Sequence, residues 1–129
     1  YEKMNLTIGK LAKSCHVNVE TIRYYQRIGI MRIPESTQSY RYYNQQDLET
    51  LSFIQKAKDA GLQLNEIKEL LTLNLEDRIQ VRHVIEQRLS KIDERIQELV
   101  GLKQRLSTWL NECKTTEDEC CPILMELKQ

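Results

Sequence analysis

The strongest constraint in the sequence is a heptad-like apolar pattern within residues 75–112. Apolar side chains recur there at alternating spacings of four and three residues: Ile85, Leu89, Ile92, Ile96 and Leu99. This spacing predicts one helix with a narrow apolar stripe, about 55 Å long at ~1.5 Å per residue. Such a helix is too long to be buried along one small domain, so we expect it to pair with a second copy of the chain in a coiled-coil homodimer.

The segment before it, residues 6–29, contains two short helical patterns separated by residues 14–17. Thr7 precedes the first pattern and Asn18 the second, and both residue types are good helix N-caps. Gly29 stands where a glycine commonly ends a helix. Two short helices so joined predict a helix-turn-helix, whose second helix usually enters the major groove of DNA.

Residues 30–44 predict a small β-hairpin, or wing, because Pro34 and a Ser/Thr/Gln cluster separate two short extended runs. All six tyrosines of the chain lie in residues 1–43, interleaved with arginines. Both residue types commonly contact phosphate. We expect about half of this set, including Tyr25 and one of Tyr40, Tyr42 and Tyr43, to pack the core instead.

Residues 45–72 predict two further helices, the first ending at Gly61 and the second starting near Gln63 or Asn65. They complete a compact, mainly helical domain. The expected organisation is therefore a winged head over 5–72, a dimerisation helix over 75–112 and a cysteine-containing segment over 113–129.

The formal net charge is zero, from 19 basic and 19 acidic residues, but the charges are unevenly distributed. Residues 1–45 carry seven basic and three acidic groups (7 − 3 = +4), and the remainder is net negative. A basic head is a feature of nucleic-acid binding. No apolar run is long enough to span a bilayer, and residues 1–5 carry no signal-peptide core, so we expect a cytoplasmic protein that does not enter membranes.

Three cysteines, Cys113, Cys120 and Cys121, fall within nine residues in an acidic segment. Thiolates bind soft or borderline ions such as Cu(I), Zn(II) and Hg(II). Pro122 is suited to begin a terminal helix, and a thiol at such a helix start has a lowered pKa. We therefore expect a metal site here rather than buried thiols that act as small hydrophobes, and we expect the isolated Cys15 to be structural.

Several motifs together carry a specific resemblance: Thr21-Ile22-Arg23-Tyr24-Tyr25, Gly29-Ile30, Pro34, Tyr40-Arg41-Tyr42-Tyr43, Ala60-Gly61-Leu62, and Cys113 with Cys121-Pro122-Ile123. In these motifs the chain resembles the MerR family of bacterial transcription regulators, and its cysteine pattern resembles the metal-sensing branch. The resemblance covers about residues 5–127.

The resemblance implies a homodimer with antiparallel long helices and two winged heads on a palindromic promoter. Effector binding would distort an overlong promoter spacer so that RNA polymerase can use it, which gives both repression and activation. Matched by position, the DNA contacts would come from the recognition helix, the wing and the second helix pair: Thr21, Arg23, Tyr24, Tyr40, Arg41, Lys56 and Lys58.

The wing departs from the family pattern. Glu35, Ser36 and Thr37 follow Pro34 where an arginine is usual, and Ser39 precedes Tyr40 where a glycine is usual. One phosphate contact of the family is therefore in question.

The start of the long helix departs as well, because residues 76–83 contain no cysteine, whereas divalent-metal sensors of the family carry one there. One interpretation is a two-thiolate site for a monovalent ion such as Cu(I), whose charge Arg78 or Arg82 of a partner chain could neutralise. The other adds Cys120 and a partner's His83 to Cys113 and Cys121, which suits Zn(II), Ni(II) or another divalent ion. The sequence leaves both open.

Three other functions account for parts of this sequence. A cysteine redox or metal-transfer enzyme is disfavoured because only His16 and His83 could act as an imidazole base, and no Gly-rich phosphate loop or catalytic carboxylate pair is present. A structural coiled coil without DNA binding does not account for the basic winged head. An effector-independent or thiol-sensing regulator of the same family stays open.

Overall fold

The computed structural model describes residues 5–37, 40–117 and 119–129. These residues form six helices and one two-stranded hairpin: α1 Ile8–Ser14, α2 Val19–Arg27, β1 Ser36–Thr37, β2 Tyr40–Arg41, α3 Gln45–Asp59, α4 Leu64–Leu71, α5 Arg78–Thr115 and α6 Pro122–Leu127. Contacts divide the chain into two units, one ending at Val84 and the other beginning at Ile85. The mainly helical fold is confirmed, while the three-segment domain division stays a prediction.

The first two helices form the predicted helix-turn-helix. Thr7 Oγ1 accepts from the Lys10 N–H at 3.3 Å, and Asn18 Oδ1 accepts from the Thr21 N–H at 2.8 Å. Gly29 lies just beyond α2 at φ +80°, in the left-handed region that favours glycine. Both predicted N-caps and the glycine end are therefore confirmed.

The wing is short. β1 and β2 pair antiparallel through Ser36 with Arg41 and Thr37 with Tyr40. The turn between them, including the predicted departure at Ser39, lies outside the described residues. Beyond β2, Tyr43 forms two backbone hydrogen bonds with Leu6, at 2.7 and 2.8 Å, and so joins the base of the wing to the start of the domain.

Helices α3 and α4 both begin with capping boxes, Asn44 with Asp47 and Gln63 with Glu66. Gly61, at φ +96°, ends the first of them as predicted. Together with α1 and α2 they enclose the core, whose most buried side chains are Leu11, Ile22, Tyr25, Leu51, Ile54 and Ile67. Of the described tyrosines, Tyr25 and Tyr43 pack into this core, as the sequence predicted for Tyr25 and one wing residue.

The long helix α5 is continuous over 38 residues, beginning and ending three residues later than predicted. Its start is displaced because Asp77 accepts a hydrogen bond from the Asn74 N–H at 2.8 Å, which forms a turn over residues 74–77. The heptad side chains are exposed within one chain, and their exposed fractions range from 37% for Ile85 to 54% for Leu89. Among the described residues no helix has both the length and the apolarity to cross a bilayer.

Candidate nucleic-acid interface and metal centre

The exposed face of α2 presents two of the three side chains predicted for the recognition helix. Arg23 and Tyr24 are exposed, whereas Thr21 is half-buried and its hydroxyl donates to Asn18 Oδ1 at 2.8 Å. Arg23 forms an ion pair with Glu20 at 2.9 Å, one turn earlier on the same helix. A phosphate that contacted Arg23 would compete with the Glu20 carboxylate for the same guanidinium.

The wing and α2 form the two sides of an open groove of about 620 Å³. Arg23 and Arg27 line it from the helix, and Tyr40 and Arg41 line it from β2. Three guanidinium groups and a phenol on one groove give an electropositive, hydrogen-bonding surface suited to a phosphate backbone. Of the predicted contacts, the groove thus brings together Arg23 of the recognition helix with Tyr40 and Arg41 of the wing, whereas Thr21 and Tyr24 do not line it.

Arg27 was not among the predicted contacts. Its guanidinium lies over the Tyr24 ring, 5.6 Å from the ring centroid, and this stacking holds it at the groove. The signal that could have found it is the four-residue spacing from Arg23, which places both arginines on one helix face.

The two predicted lysines of α3 differ in their surroundings. Lys56 is exposed beside Glu49 and Phe53 in a shallow surface depression. Lys58 points to the core tyrosine: its Nζ lies 3.5 Å from Tyr25 Oη and 5.9 Å from the ring centroid. Both lysines are exposed, and Lys58 differs from Lys56 in this long contact with Tyr25.

Two cysteine thiols meet at the far end of α5. Cys113 lies in the last turn of that helix, and Cys121 is the N-cap of α6, which Pro122 begins as predicted. Their Sγ atoms are 4.0 Å apart. With metal–sulfur bonds of ~2.3 Å, two thiolates on one ion stand about 3.8 Å apart in a tetrahedral site and about 4.6 Å apart in a linear one. The observed separation of 4.0 Å is close to the tetrahedral value, whereas a linear two-coordinate ion would require the two sulfurs to move apart.

The two thiols are electrostatically unequal. The pKa of Cys121 is lowered because the backbone N–H groups of Leu124 and Ile123, at the start of α6, donate to its sulfur. The pKa of Cys113 is raised, first by its hydrogen bond to Cys121 and then by the repulsion that a neighbouring thiolate exerts. Cys121 is therefore the sulfur that ionises first and the natural initial ligand for a cation.

The other two predicted ligands are Cys120 and His83. Cys120 is exposed next to Cys121, and His83 is exposed early in α5. Within residues 5–37, 40–117 and 119–129 of one chain, no three His, Cys, Asp or Glu side chains are grouped so as to hold a metal ion.

Comparison with known proteins decides the family. The model of the MerR HTH family regulatory protein matches residues 6–73, and that of the MerR DNA-binding region matches residues 48–109. The chain belongs to the MerR family. Its similarity to the mercuric resistance operon regulatory protein of Bacillus cereus is 36% identity over 129 residues, covering 96% of this chain and 98% of that protein.

Two solved MerR-family structures agree with this fold. The regulator PbrR691 of Ralstonia metallidurans CH34, in complex with lead(II), superposes with a TM-score of 0.79 at 28% identity, covering 95% of this chain and 98% of that one. The dual-function regulator MerR of Bacillus megaterium MB1, in complex with mercury(II), gives 0.69 at 28% identity, covering 98% and 100%. These relatives are transcription regulators rather than enzymes, so the predicted family and functional class are confirmed.

Proposed function

We propose that this MerR-family chain is a metal-responsive regulator that binds promoter DNA as a homodimer and takes its metal ion on Cys113 and Cys121. The observation that carries the proposal is the thiol pair, held 4.0 Å apart beside the N-terminus of α6 in a chain with a winged DNA-binding head. The complexes of the two structural relatives with lead(II) and mercury(II) support a thiophilic effector.

The DNA-binding part of the proposal rests on the groove between α2 and the wing. Two such heads in a homodimer fit a palindromic operator, because operator symmetry mirrors protein symmetry. Phosphate contacts on both half-sites would hold a distorted duplex, at a deformation cost of order 1–6 kcal/mol, and metal binding would set the distortion that RNA polymerase encounters. A regulator of this kind works where the promoter is, in the cytoplasm.

DNA binding is tested with a palindromic duplex selected from a random pool by the wild-type protein. Arg23→Ala should weaken binding about tenfold or more and lower the slope of log affinity against log salt by about one, because one phosphate contact is lost. The matched control is Arg95→Ala, since Arg95 forms the same one-turn ion pair, with Glu98, on α5. Equal affinities for wild type and Arg23→Ala would contradict the role of Arg23.

The homodimer is proposed from the exposed apolar stripe of α5. Leaving five heptad side chains in water is unfavourable, and a second copy offers the complementary stripe. Ile92→Asp should convert the protein to monomer in sedimentation velocity, whereas Asp93→Asn, next to it along the helix, should leave a dimer. A wild-type protein that sediments as a monomer at micromolar concentration would contradict the proposal.

The metal assignment has two forms. In the first, Cys113 and Cys121 alone bind a monovalent ion such as Cu(I), with Arg78 or Arg82 of the partner chain neutralising the excess charge. In the second, Cys120 and His83 complete a site for Zn(II), Ni(II), Hg(II) or another divalent ion. The exposure of Cys120 and His83 leaves both side chains available to such a site.

Metal competition on the purified protein tests the site. Cu(I), Zn(II), Ni(II), Hg(II) and Pb(II) are offered in turn, and stoichiometry and affinity are measured for wild type, Cys121→Ser and Cys15→Ala. Cys121→Ser should lose high-affinity binding and promoter induction while retaining DNA affinity. Cys15→Ala is the control because Cys15 lies half-buried against the head core. Unchanged binding by Cys121→Ser would place the site elsewhere.

His83→Ala and Arg82→Ala then separate the two forms. Loss of divalent-ion response in His83→Ala supports the larger site. Loss of Cu(I) response in Arg82→Ala, with His83→Ala unaffected, supports the two-thiolate site. Cys120→Ser is measured for the same metal responses, because Cys120 is the remaining candidate ligand.

One observation favours a second candidate function, thiol sensing. Cys121 has a lowered pKa and lies beside Cys113, which is the arrangement of a thiolate with a resolving thiol. The same promoter assay with a peroxide in place of metal tests it: induction by peroxide and none by any metal would favour the thiol sensor.

A further inference from the structure

The wing of this protein is too short to hold its own position. Each of its two strands contributes only two paired residues. Ser36, Tyr40 and Arg41 of these strands are exposed. A two-stranded hairpin is marginally stable in water even when longer. The orientation of Tyr40 and Arg41 toward the groove must therefore be set at the base of the wing.

One side chain of the recognition helix reaches both ends of that base. Gln26 Nε2 donates to Tyr43 Oη at 2.9 Å and to the Arg32 carbonyl at 3.3 Å. Arg32 precedes β1 and Tyr43 follows β2, so both N–H donors of a single amide join α2 to the two chain segments that enter and leave the wing. Tyr43 is itself buried and bonded to Leu6 through its backbone.

A second link fixes Arg32 from the opposite side. Its guanidinium donates to both carboxylate oxygens of Asp47, at 2.8 and 2.7 Å. Asp47 also accepts from the Asn44 N–H at 2.8 Å in the capping box of α3. The segment entering the wing is thus held between the Gln26 amide and the first turn of α3.

We propose that Gln26 is a positioning residue that sets the spacing between the recognition helix and the wing, so that Arg41 and Arg23 contact the same DNA backbone at once. This rests on the proposed DNA-binding function. Gln26 acts through the wing: without its two hydrogen bonds, the wing loses its fixed distance from α2 and Arg41 contributes less to affinity, while Arg23 on the rigid helix contributes as before.

The test is a double-mutant cycle on operator affinity. Arg41→Ala and Arg23→Ala are each measured in wild type and in Gln26→Leu, which keeps the side-chain volume and removes both donors. In wild type each arginine change should weaken binding roughly tenfold. In Gln26→Leu the Arg41→Ala effect should fall below about threefold, and the Arg23→Ala effect should stay near tenfold.

Two further variants keep the result interpretable. Tyr43→Phe removes one of the two acceptors and retains the buried ring, so it should reduce the Arg41→Ala effect to an intermediate value. Gln87→Leu, on the exposed surface of α5, should leave both arginine effects unchanged. Circular dichroism and the unfolding midpoint establish that each variant is folded.

The outcomes are separable. An Arg41→Ala effect that is equal in wild type and Gln26→Leu overturns the positioning role, even if Gln26→Leu binds DNA more weakly. The positioning role is also overturned if Gln26→Leu reduces the effects of Arg23→Ala and Arg41→Ala on operator affinity equally. That result would mean that Gln26→Leu destabilises the whole head rather than the wing. If the wild-type protein selects no operator, the proposed function itself fails.

Discussion

The ion pair between Arg32 and Asp47 gives a sharp stability prediction. Arg32→Met keeps the apolar stem of the side chain and removes the charge, leaving Asp47 with only the Asn44 N–H as donor among these contacts. The Asp47 side chain is 4% exposed and that of Arg32 is 51% exposed. Two charge-assisted hydrogen bonds would contribute about 3–6 kcal/mol if fully desolvated, at ~1.5–3 kcal/mol each.

The half-exposed arginine reduces that value, because water already solvates part of the guanidinium and can replace it at one edge of the carboxylate. We therefore expect Arg32→Met to lower the free energy of unfolding by about 1.5–3 kcal/mol. The pKa of Arg32 is raised, mainly by its hydrogen bond with Asp47. The guanidinium consequently stays charged throughout the range in which the protein can be studied, and the loss should not depend on pH through Arg32.

Urea titration at a fixed protein concentration measures the effect, since the proposed dimerisation would couple stability to concentration. All six tyrosines lie within residues 1–43 and the one tryptophan is Trp109, so tyrosine emission follows the head and tryptophan emission follows the long helix. The loss in free energy of unfolding should appear only in the transition that tyrosine emission follows. Arg23→Met is the control, because its pair with Glu20 is 57% and 73% exposed and should contribute at most ~0.5 kcal/mol. If Arg32→Met and Arg23→Met lose free energies of unfolding that agree within about 0.5 kcal/mol, the stabilising role of the Arg32–Asp47 pair is refuted.

Three further predictions follow from local geometry. Glu20→Gln should strengthen operator binding severalfold by releasing Arg23 and removing a negative charge near phosphate, and weaker binding in fluorescence anisotropy would contradict this. Because the pKa of Cys121 is lowered and that of Cys113 is raised, iodoacetamide should alkylate Cys121 faster than Cys113 at neutral pH. Peptide mass spectrometry measures the order of alkylation, and the reverse order would exclude the N–H donors assigned to Cys121. Gly61→Ala should destabilise the head by about 1–2 kcal/mol because of its left-handed φ, whereas Gly9→Ala within α1 should stabilise it by about 0.5–1 kcal/mol, and thermal unfolding midpoints check both signs.

Much of the fold was predictable because its signals are local. The N-caps at Thr7 and Asn18 act through hydrogen bonds to the residue three positions along, and Gly61 ends α3 through its own backbone angle. Such features follow from residue type and spacing alone. The start of α5 was misplaced by three residues because the Asn74–Asp77 turn competes with the helix for the same backbone groups.

The candidate sites were predictable in part. The arginines and tyrosines of the head were identified by motif, and their DNA contacts stay a prediction. The contact of Lys58 with Tyr25, 33 positions away in the chain, has no signal in the local sequence. Cysteine spacing indicated three candidate thiols, whereas the described structure pairs Cys113 with Cys121. That choice depends on how the chain returns between α5 and α6, which spacing alone does not specify.

The helical elements, the basic head, the apolar stripe of α5 and the cysteine motif follow from the sequence alone, since each depends on residues close together in the chain. How the wing is held depends instead on tertiary contacts. Gln26 meets Tyr43 across 17 positions and Arg32 meets Asp47 across 15, and neither pair is marked by any local pattern. Such contacts form only when packing of α1–α4 brings distant segments within hydrogen-bonding distance, because burial fixes which polar groups must find partners.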